Sequence, residues 1–253
     1  MIEVKGLVTG YPGQTVLTGV DLTVPDGKVT IIVGPNGCGK STLLKAIMGM
    51  LPVQKGKICI GGRDISGMSV RELAQQAAYL AQSKPVPEIT ALRMVLHGRF
   101  PYLSYPRRYR PADWALARQV MEQLGIGSLQ DRMMQTLSGG TRQKVYLAMA
   151  LAQDTPAILM DEPTTFLDIS YQLQVMQSAR LLANMGKAVV MVLHDLSLAL
   201  KTADQLAVLD QGRIVQCGDP QQIWESKCLD QVFGITVRQF QTEHGPQYYY
   251  EPQ

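Results

Sequence analysis

Hydrophobic and polar residues alternate along residues 2–8 and 16–24, the period of half-buried strands. Tyr11-Pro12-Gly13 separates the two runs and Pro25-Asp26-Gly27 follows the second, both turn signals. Residues 28–33, apolar at Val29, Ile31, Ile32 and Val33, then predict a buried strand. A glycine-rich turn comes next, with a helix over 41–50. A short strand is expected over 57–60, between Gly56 and Gly61-Gly62, followed by a helix over 70–77 and a strand over 78–80.

From about Gln82 to Thr155 the strand pattern vanishes. Helices are predicted over 90–98, 113–124 and 138–153. In the second, Leu116, Val120 and Leu124 fall four apart on one face, with Pro111 and Gly125 as start and stop signals. Residues 100–110, with Pro101, Pro106, Arg107, Arg108 and Arg110, predict an exposed basic loop. Alternation then returns, with strands over 157–160, 188–193, 205–209 and 213–217 and helices over 170–185 and 195–202. Beyond Gly218 a short helix over 219–225 and strands over 234–240 and 247–250 are expected, with Tyr248-Tyr249-Tyr250 as packing surface. The strand–helix–strand order on both sides of the middle block predicts an α/β core with a mostly parallel sheet, discontinuous in sequence (1–82 and 157–253), and a helical insertion at 83–156.

Composition narrows the setting. The 253 residues, 46% hydrophobic and 18% charged, suffice for a core without disulfides and exclude disorder. No run approaches the roughly 18 apolar residues of a membrane span. The start, Met1-Ile2-Glu3-Val4-Lys5, lacks a signal-peptide pattern, so the cytoplasm is the expected compartment. A net charge of +3 is too small to make nucleic acid the main partner. Cys38, Cys59, Cys217 and Cys228 are widely spaced and read as isolated thiols.

The chemistry begins at Gly34-Pro35-Asn36-Gly37-Cys38-Gly39-Lys40-Ser41, which matches G-x-x-x-x-G-K-[ST] between an apolar strand and a helix; Thr42 extends the same cradle. Glycines let backbone N–H groups converge on a polyphosphate, and the helix start adds positive potential. Lys40 is expected to reach the β- and γ-phosphates and Ser41 to hold Mg²⁺. The strand ending in Asp161-Glu162 supplies a carboxylate for Mg²⁺ and one to orient or deprotonate water. His194 ends the next strand; it suits a γ-phosphate contact, and taken alone it suits a structural histidine as well. Leu137-Ser138-Gly139-Gly140-Thr141-Arg142-Gln143 opens a helix with a capping serine and two unobstructed glycines, a second anion site or, in isolation, an ordinary capped helix. Two phosphate cradles about a hundred residues apart point to a dimer in which each subunit offers this helix to the other's nucleotide.

Together these motifs, in this order from about Met1 to Gly218, resemble an ATP-binding cassette subunit. The resemblance implies a P-loop NTPase core, an N-terminal antiparallel β subdomain and an inserted helical subdomain. It implies that Tyr11 stacks on adenine and that Gln82 lies in the glutamine loop, contacting Mg²⁺ and water and moving with a membrane partner. Ser138, Gly139 and Gly140 match the signature that binds the γ-phosphate across the dimer. Glu162 matches the catalytic glutamate, His194 the switch histidine, and Asp168 the loop crossing the dimer interface. Two residues depart from the pattern: Thr141 replaces the usual glutamine, and Phe166 stands where a small residue is usual, which puts turnover and dimer tightness in doubt. Val95-Leu96-His97-Gly98-Arg99-Phe100-Pro101-Tyr102 and the arginine-rich loop are similar to the importers of iron–siderophore complexes, haem and cobalamin. That implies an ATP hydrolase peripheral to the inner membrane, partnered by permease subunits and dependent on a substrate-binding protein. The competing readings are an importer ATPase for another cargo such as a metal ion, and a soluble clamp acting on nucleic acid or ribosomes.

Overall fold

The computed structural model describes residues 1–82, 86–165, 167–243 and 245–253. Phe166 and the first residues of the expected helical insertion, 83–85, lie outside them.

The chain opens with strands β1 (Ile2–Tyr11) and β2 (Gln14–Val24), paired antiparallel around the turn at Pro12-Gly13. β3 (Val29–Val33) is buried throughout and runs into the glycine-rich loop and helix α1 (Lys40–Ile47). β4 (Lys55–Ile60) returns to β1 and carries a two-residue β5 (Arg63–Asp64), giving an antiparallel sheet of order β2-β1-β4-β5. After α2 (Val70–Gln76), closed at Ser69 and Glu72 by a reciprocal capping box, comes β6 (Ala77–Leu80).

The helical block contains α3 (Ala91–Leu96), α4 (Pro111–Gln123) and α5 (Gly139–Ala152). The chain then alternates through β7 (Ala157–Asp161), α6 (Ile169–Asn184), β8 (Ala188–Val192), α7 (Leu196–Thr202), β9 (Gln205–Asp210) and β10 (Arg213–Gly218). It ends with α8 (Pro220–Glu225), α9 (Cys228–Phe233) and the hairpin β11 (Ile235–Thr242)–β12 (Gly245–Pro252).

The main sheet has the order β10-β9-β3-β8-β7-β6 and is parallel except at β10. Its central strands are apolar on both faces because both faces are covered. Ile32, Val190 and Val192 join a core with α1 and the antiparallel sheet. Ile31, Val189 and Met191 face the other way, into a core shared with Leu92, Val95, Val120, Met121, Val145 and Leu151 of the helical block. The expected α/β class, parallel sheet, antiparallel N-terminal sheet and helical insertion are all observed.

Local differences have physical causes. α1 stops at Ile47, short of Met50, because Gly49 turns left-handed (φ 64°), with Gly49 N–H donating to Ala46 O and Met50 N–H to Lys45 O. The expected helix over 90–98 gives way after Leu96 to a 3₁₀ segment, His97–Tyr102. There Gly98 allows a close approach to α5: a Cβ on it would stand 2.2 Å from Met149 O. The loop beyond it is exposed at Arg107, Arg108 and Arg110 but buries Leu103. Neither β5 nor α9 was expected. The four cysteines are free thiols, and among the described residues no helix is long and apolar enough to cross a membrane.

Candidate functional site: the phosphate loop and its carboxylates

The loop between β3 and α1 is built on backbone freedom and tight space. Gly37 (φ 78°) and Gly39 (φ 110°) are left-handed, and a Cβ on Gly34 would stand 2.0 Å from Leu209 O. Lys40, 5% exposed, folds into the loop and donates to Gly34 O at 2.7 Å and Pro35 O at 2.8 Å. Its ammonium thus sits at the centre of the cradle. Cys38 packs beside it, its Sγ 3.9 Å from Lys40 Nζ, and burial pushes the thiol pKa up despite the neighbouring charge.

Tyr11, Gln14, Val16, Asn36, Gly37, Gly39, Lys40, Ser41, Thr42, Glu162 and His194 line one open cleft of about 290 Å³. Tyr11 is exposed at its rim, with Lys45 Nζ 5.9 Å from the ring centroid. The structure therefore gathers the expected aromatic, the phosphate loop, the glutamate and the histidine, although the last two lie more than 120 residues from the loop.

β7 and β8 run parallel and deliver their C-terminal ends beside the loop. Asp161, 4% exposed, accepts from Ser41 Oγ at 2.9 Å through Oδ1 and from the Tyr79 hydroxyl at 3.0 Å through Oδ2. Burial, reinforced by the Asp161 charge, drives the Tyr79 pKa far above its ordinary value, so this phenol stays a donor. Glu162 is left-handed (φ 50°), a conformation costing a non-glycine residue about 1 kcal/mol. Three side chains converge on its carboxylate. His194 Nε2 lies 2.6 Å from Oε1, while Oε2 accepts from the Gln82 amide and from Thr165 Oγ1, the latter at 3.2 Å.

Ser138, Gly139, Gly140 and Asp168 are not among the residues lining this cleft. Ser138 caps α5, accepting from Thr141 N–H at 3.3 Å and donating to Thr141 Oγ1 at 2.8 Å. A Cβ on Gly139 would meet nothing within 4 Å. Asp168 caps α6, accepting from Tyr171 N–H at 3.0 Å and Ser170 Oγ at 2.8 Å, and these bonds hold its carboxyl below the usual aspartate range. Within one chain the second half of the expected site thus contributes nothing to the lining of this cleft.

Sequence reasoning missed Tyr79 and Thr165 as partners of the two carboxylates. Tyr79 was the one polar-tipped residue in an apolar strand, and with β6 placed beside β7 it would have stood out.

A family model for ABC transporters matches residues 17–165. An achromobactin transport ATP-binding protein of Dickeya dadantii is 39% identical over 239 residues, 94% of this chain and 89% of that protein. A ferric enterobactin transport ATP-binding protein of Escherichia coli is 37% identical over 231 residues, 90% of this chain and 85% of that one. A hemin import ATP-binding protein of Rhodococcus jostii is 39% identical over 237 residues, 93% and 80% respectively. Among solved structures, an inward-facing transporter described as of metal-chelate type superposes with a TM-score of 0.86 at 26% identity, covering 100% of this chain and 97% of that one. An ATP-binding cassette in its ADP conformation gives 0.83 at 25%, covering 92% and 98%. With its phosphate loop, its paired carboxylates and relatives of this kind, the chain belongs to the ABC transporter family, as one of its ATP-hydrolysing subunits.

Proposed function

We propose that this chain powers an importer for iron–siderophore complexes, haem or cobalamin, joined to permease subunits at the cytoplasmic face of the inner membrane and served by a separate substrate-binding protein. The achromobactin, enterobactin and hemin transport roles of the relatives support this cargo class. The convergence of Gln82, Thr165 and His194 on Glu162, at the edge of the cleft that holds Lys40, carries the catalytic reading.

ATP is the substrate. Tyr11 stacks on its base, and Gly34, Pro35, Asn36, Gly37, Cys38, Gly39 and Thr42 wrap its phosphates with backbone N–H groups and the start of α1. Lys40 exchanges the loop carbonyls for phosphate oxygens. Glu162 takes the proton of the attacking water, and His194 fixes the direction of that carboxylate. The donor set beside the loop fits Mg²⁺: Ser41 and Asp161 present a hydroxyl and a carboxylate side by side, hard oxygen ligands, and Gln82 adds an amide oxygen. When bound, the ion would neutralise charge developing on the transferred phosphoryl group.

Two copies close face to face. Ser138, Gly139 and Gly140 of each meet the γ-phosphate held by the other, and Asp168 lies in the loop that crosses between them. That this helix start does not line the cleft of its own chain supports the dimer. Residues 83–156 act as the helical unit that takes up motion at Gln82, and 1–82 with 157–253 as the nucleotide-binding core.

Purified Glu162→Gln protein tests the catalytic reading. It should bind ATP, hydrolyse it at least about 100-fold more slowly and accumulate as a dimer on size exclusion. Normal turnover would sink the role of Glu162. Uptake of labelled ferric siderophores, haem and cobalamin in a deletion strain tests the cargo, and dependence of none of the three on this gene would overturn the class.

A further inference from the structure

Tyr79 has no place in the mechanism above, yet its side chain ends on the Asp161 carboxylate. β6 and β7 are parallel, with Tyr79 opposite Leu159. Two residues along β7, on the same face, stands Asp161. The diagonal brings the phenol to 3.0 Å from Oδ2 while Ser41 Oγ sits 2.9 Å from Oδ1. The carboxylate is thus gripped at both ends by hydroxyls from opposite sides, one on the phosphate-loop helix and one on a neighbouring strand. Tyr79 is not among the residues lining the nucleotide cleft. Its ring packs against an apolar cluster containing Ala77, Ala157 and Leu159, which a phenylalanine would satisfy equally. The hydroxyl is therefore explained by Asp161 and not by packing.

We propose that Tyr79 is a positioning residue for the cation site, its hydroxyl fixing Oδ2 of Asp161 so that Oδ1 is presented beside Ser41. The proposal rests on the reading of Ser41 and Asp161 as the Mg²⁺-holding pair. Groups that orient a metal ligand from behind typically contribute on the order of 10–100-fold to metal affinity. A phenol suits this place: it donates a single hydrogen bond from a rigid ring.

The test is Mn²⁺ binding to the full chain with a non-hydrolysable ATP analogue, followed by electron paramagnetic resonance, in the wild type, Tyr79→Phe, Asp161→Asn and the double variant. Tyr79→Phe should weaken Mn²⁺ about 10-fold, with nucleotide affinity in EDTA within twofold of wild type. The double variant should bind no more weakly than Asp161→Asn alone, since the hydroxyl acts through that carboxylate. Unchanged Mn²⁺ affinity in Tyr79→Phe, with affinity lost in Asp161→Asn, overturns the positioning role alone. Unchanged affinity in both overturns the reading of Asp161 and the proposal with it.

Discussion

The ring of Tyr171 fills the space that a side chain at position 140 would need: a Cβ on Gly140 would stand 2.4 Å from its Cδ1 and 2.5 Å from its Cγ. The backbone of Tyr171 donates to Asp168 Oδ1, and Gln143 reaches Pro163 O at 3.3 Å. The start of α5 and the cap of α6 are thereby locked to one another. Alanine for glycine inside a helix ordinarily gains about 0.5–1 kcal/mol. Here the sign should reverse, because the obstructing atoms include the root of the ring and not only its far end. Gly140→Ala should cost about 2 kcal/mol by overpacking. Adding Tyr171→Ala should recover part of the loss, a non-additivity that urea unfolding of the four proteins would reveal.

A second locked pair ties the helical block together. Arg99 Nε lies 3.1 Å from Asp113 Oδ1, both side chains largely buried, and its Nη1 donates to Ala152 O. Burial alone would raise the Asp113 pKa; the Arg110 N–H and the Arg99 guanidinium outweigh it and hold the pKa below its ordinary value. Removing one partner of such a pair costs about 3 kcal/mol. Arg99→Met should show that loss, and adding Asp113→Asn should return about 1 kcal/mol, because the stranded charge is gone. Since the folded pKa is depressed, the pair's contribution is whole above the unfolded value and fades as pH falls through the folded one. Denaturation series at neutral and acid pH should therefore converge for wild type and Arg99→Met as acid is added.

The phosphate loop, the carboxylate-ended strand and the histidine were legible in sequence because each is a contiguous signal: an apolar run, then a turn or a charge. Their meeting in one cleft was legible only through the order of motifs. Tyr79 was not, because its bond to Asp161 depends on which strands are neighbours, and β6 and β7 are separated in the chain by the whole helical block. Arg99 stood out in sequence only within the segment 95–102, because its partner Asp113 lies across three prolines, on the next helix. α9 was hidden by its brevity and by the left-handed residues that bound it, Lys227 (φ 61°) and Gly234 (φ 65°).

The end of α1 was misjudged by three residues, and the cause gives a prediction. Gly49 reverses the chain, and a Cβ there would also stand 2.9 Å from Leu73 Cδ2. Gly49→Ala should lower stability by about 1 kcal/mol or more. Its effect on nucleotide affinity should be smaller than that of Gly34→Ala, whose Cβ would strike Leu209 O inside the phosphate loop. Equilibrium unfolding and fluorescent-nucleotide titration of both variants separate the two.

The three consecutive tyrosines near the C-terminus make opposite predictions for adjacent residues. Tyr248 is 8% exposed; it stacks edge-on to Trp224 at 6.3 Å between centroids and accepts from Ser197 Oγ through its carbonyl at 2.9 Å. Ser197 lies on α7, the helix that begins just after His194 and is capped by Asp195. The hairpin is further pinned by Trp224 Nε1 donating to Val237 O at 3.0 Å and by Val237 N–H donating to Asp230 Oδ1 at 3.0 Å. Tyr249, one residue on, points to the opposite face and is half-exposed. Tyr248→Ala should cost about 3 kcal/mol, whereas Tyr249→Ala should change stability by less than about 0.5 kcal/mol. Because the hairpin braces α7, hydrogen exchange in residues 196–202 should rise in the first variant and stay unchanged in the second. Equal protection in both would show that α7 holds its place behind His194 without the C-terminal hairpin.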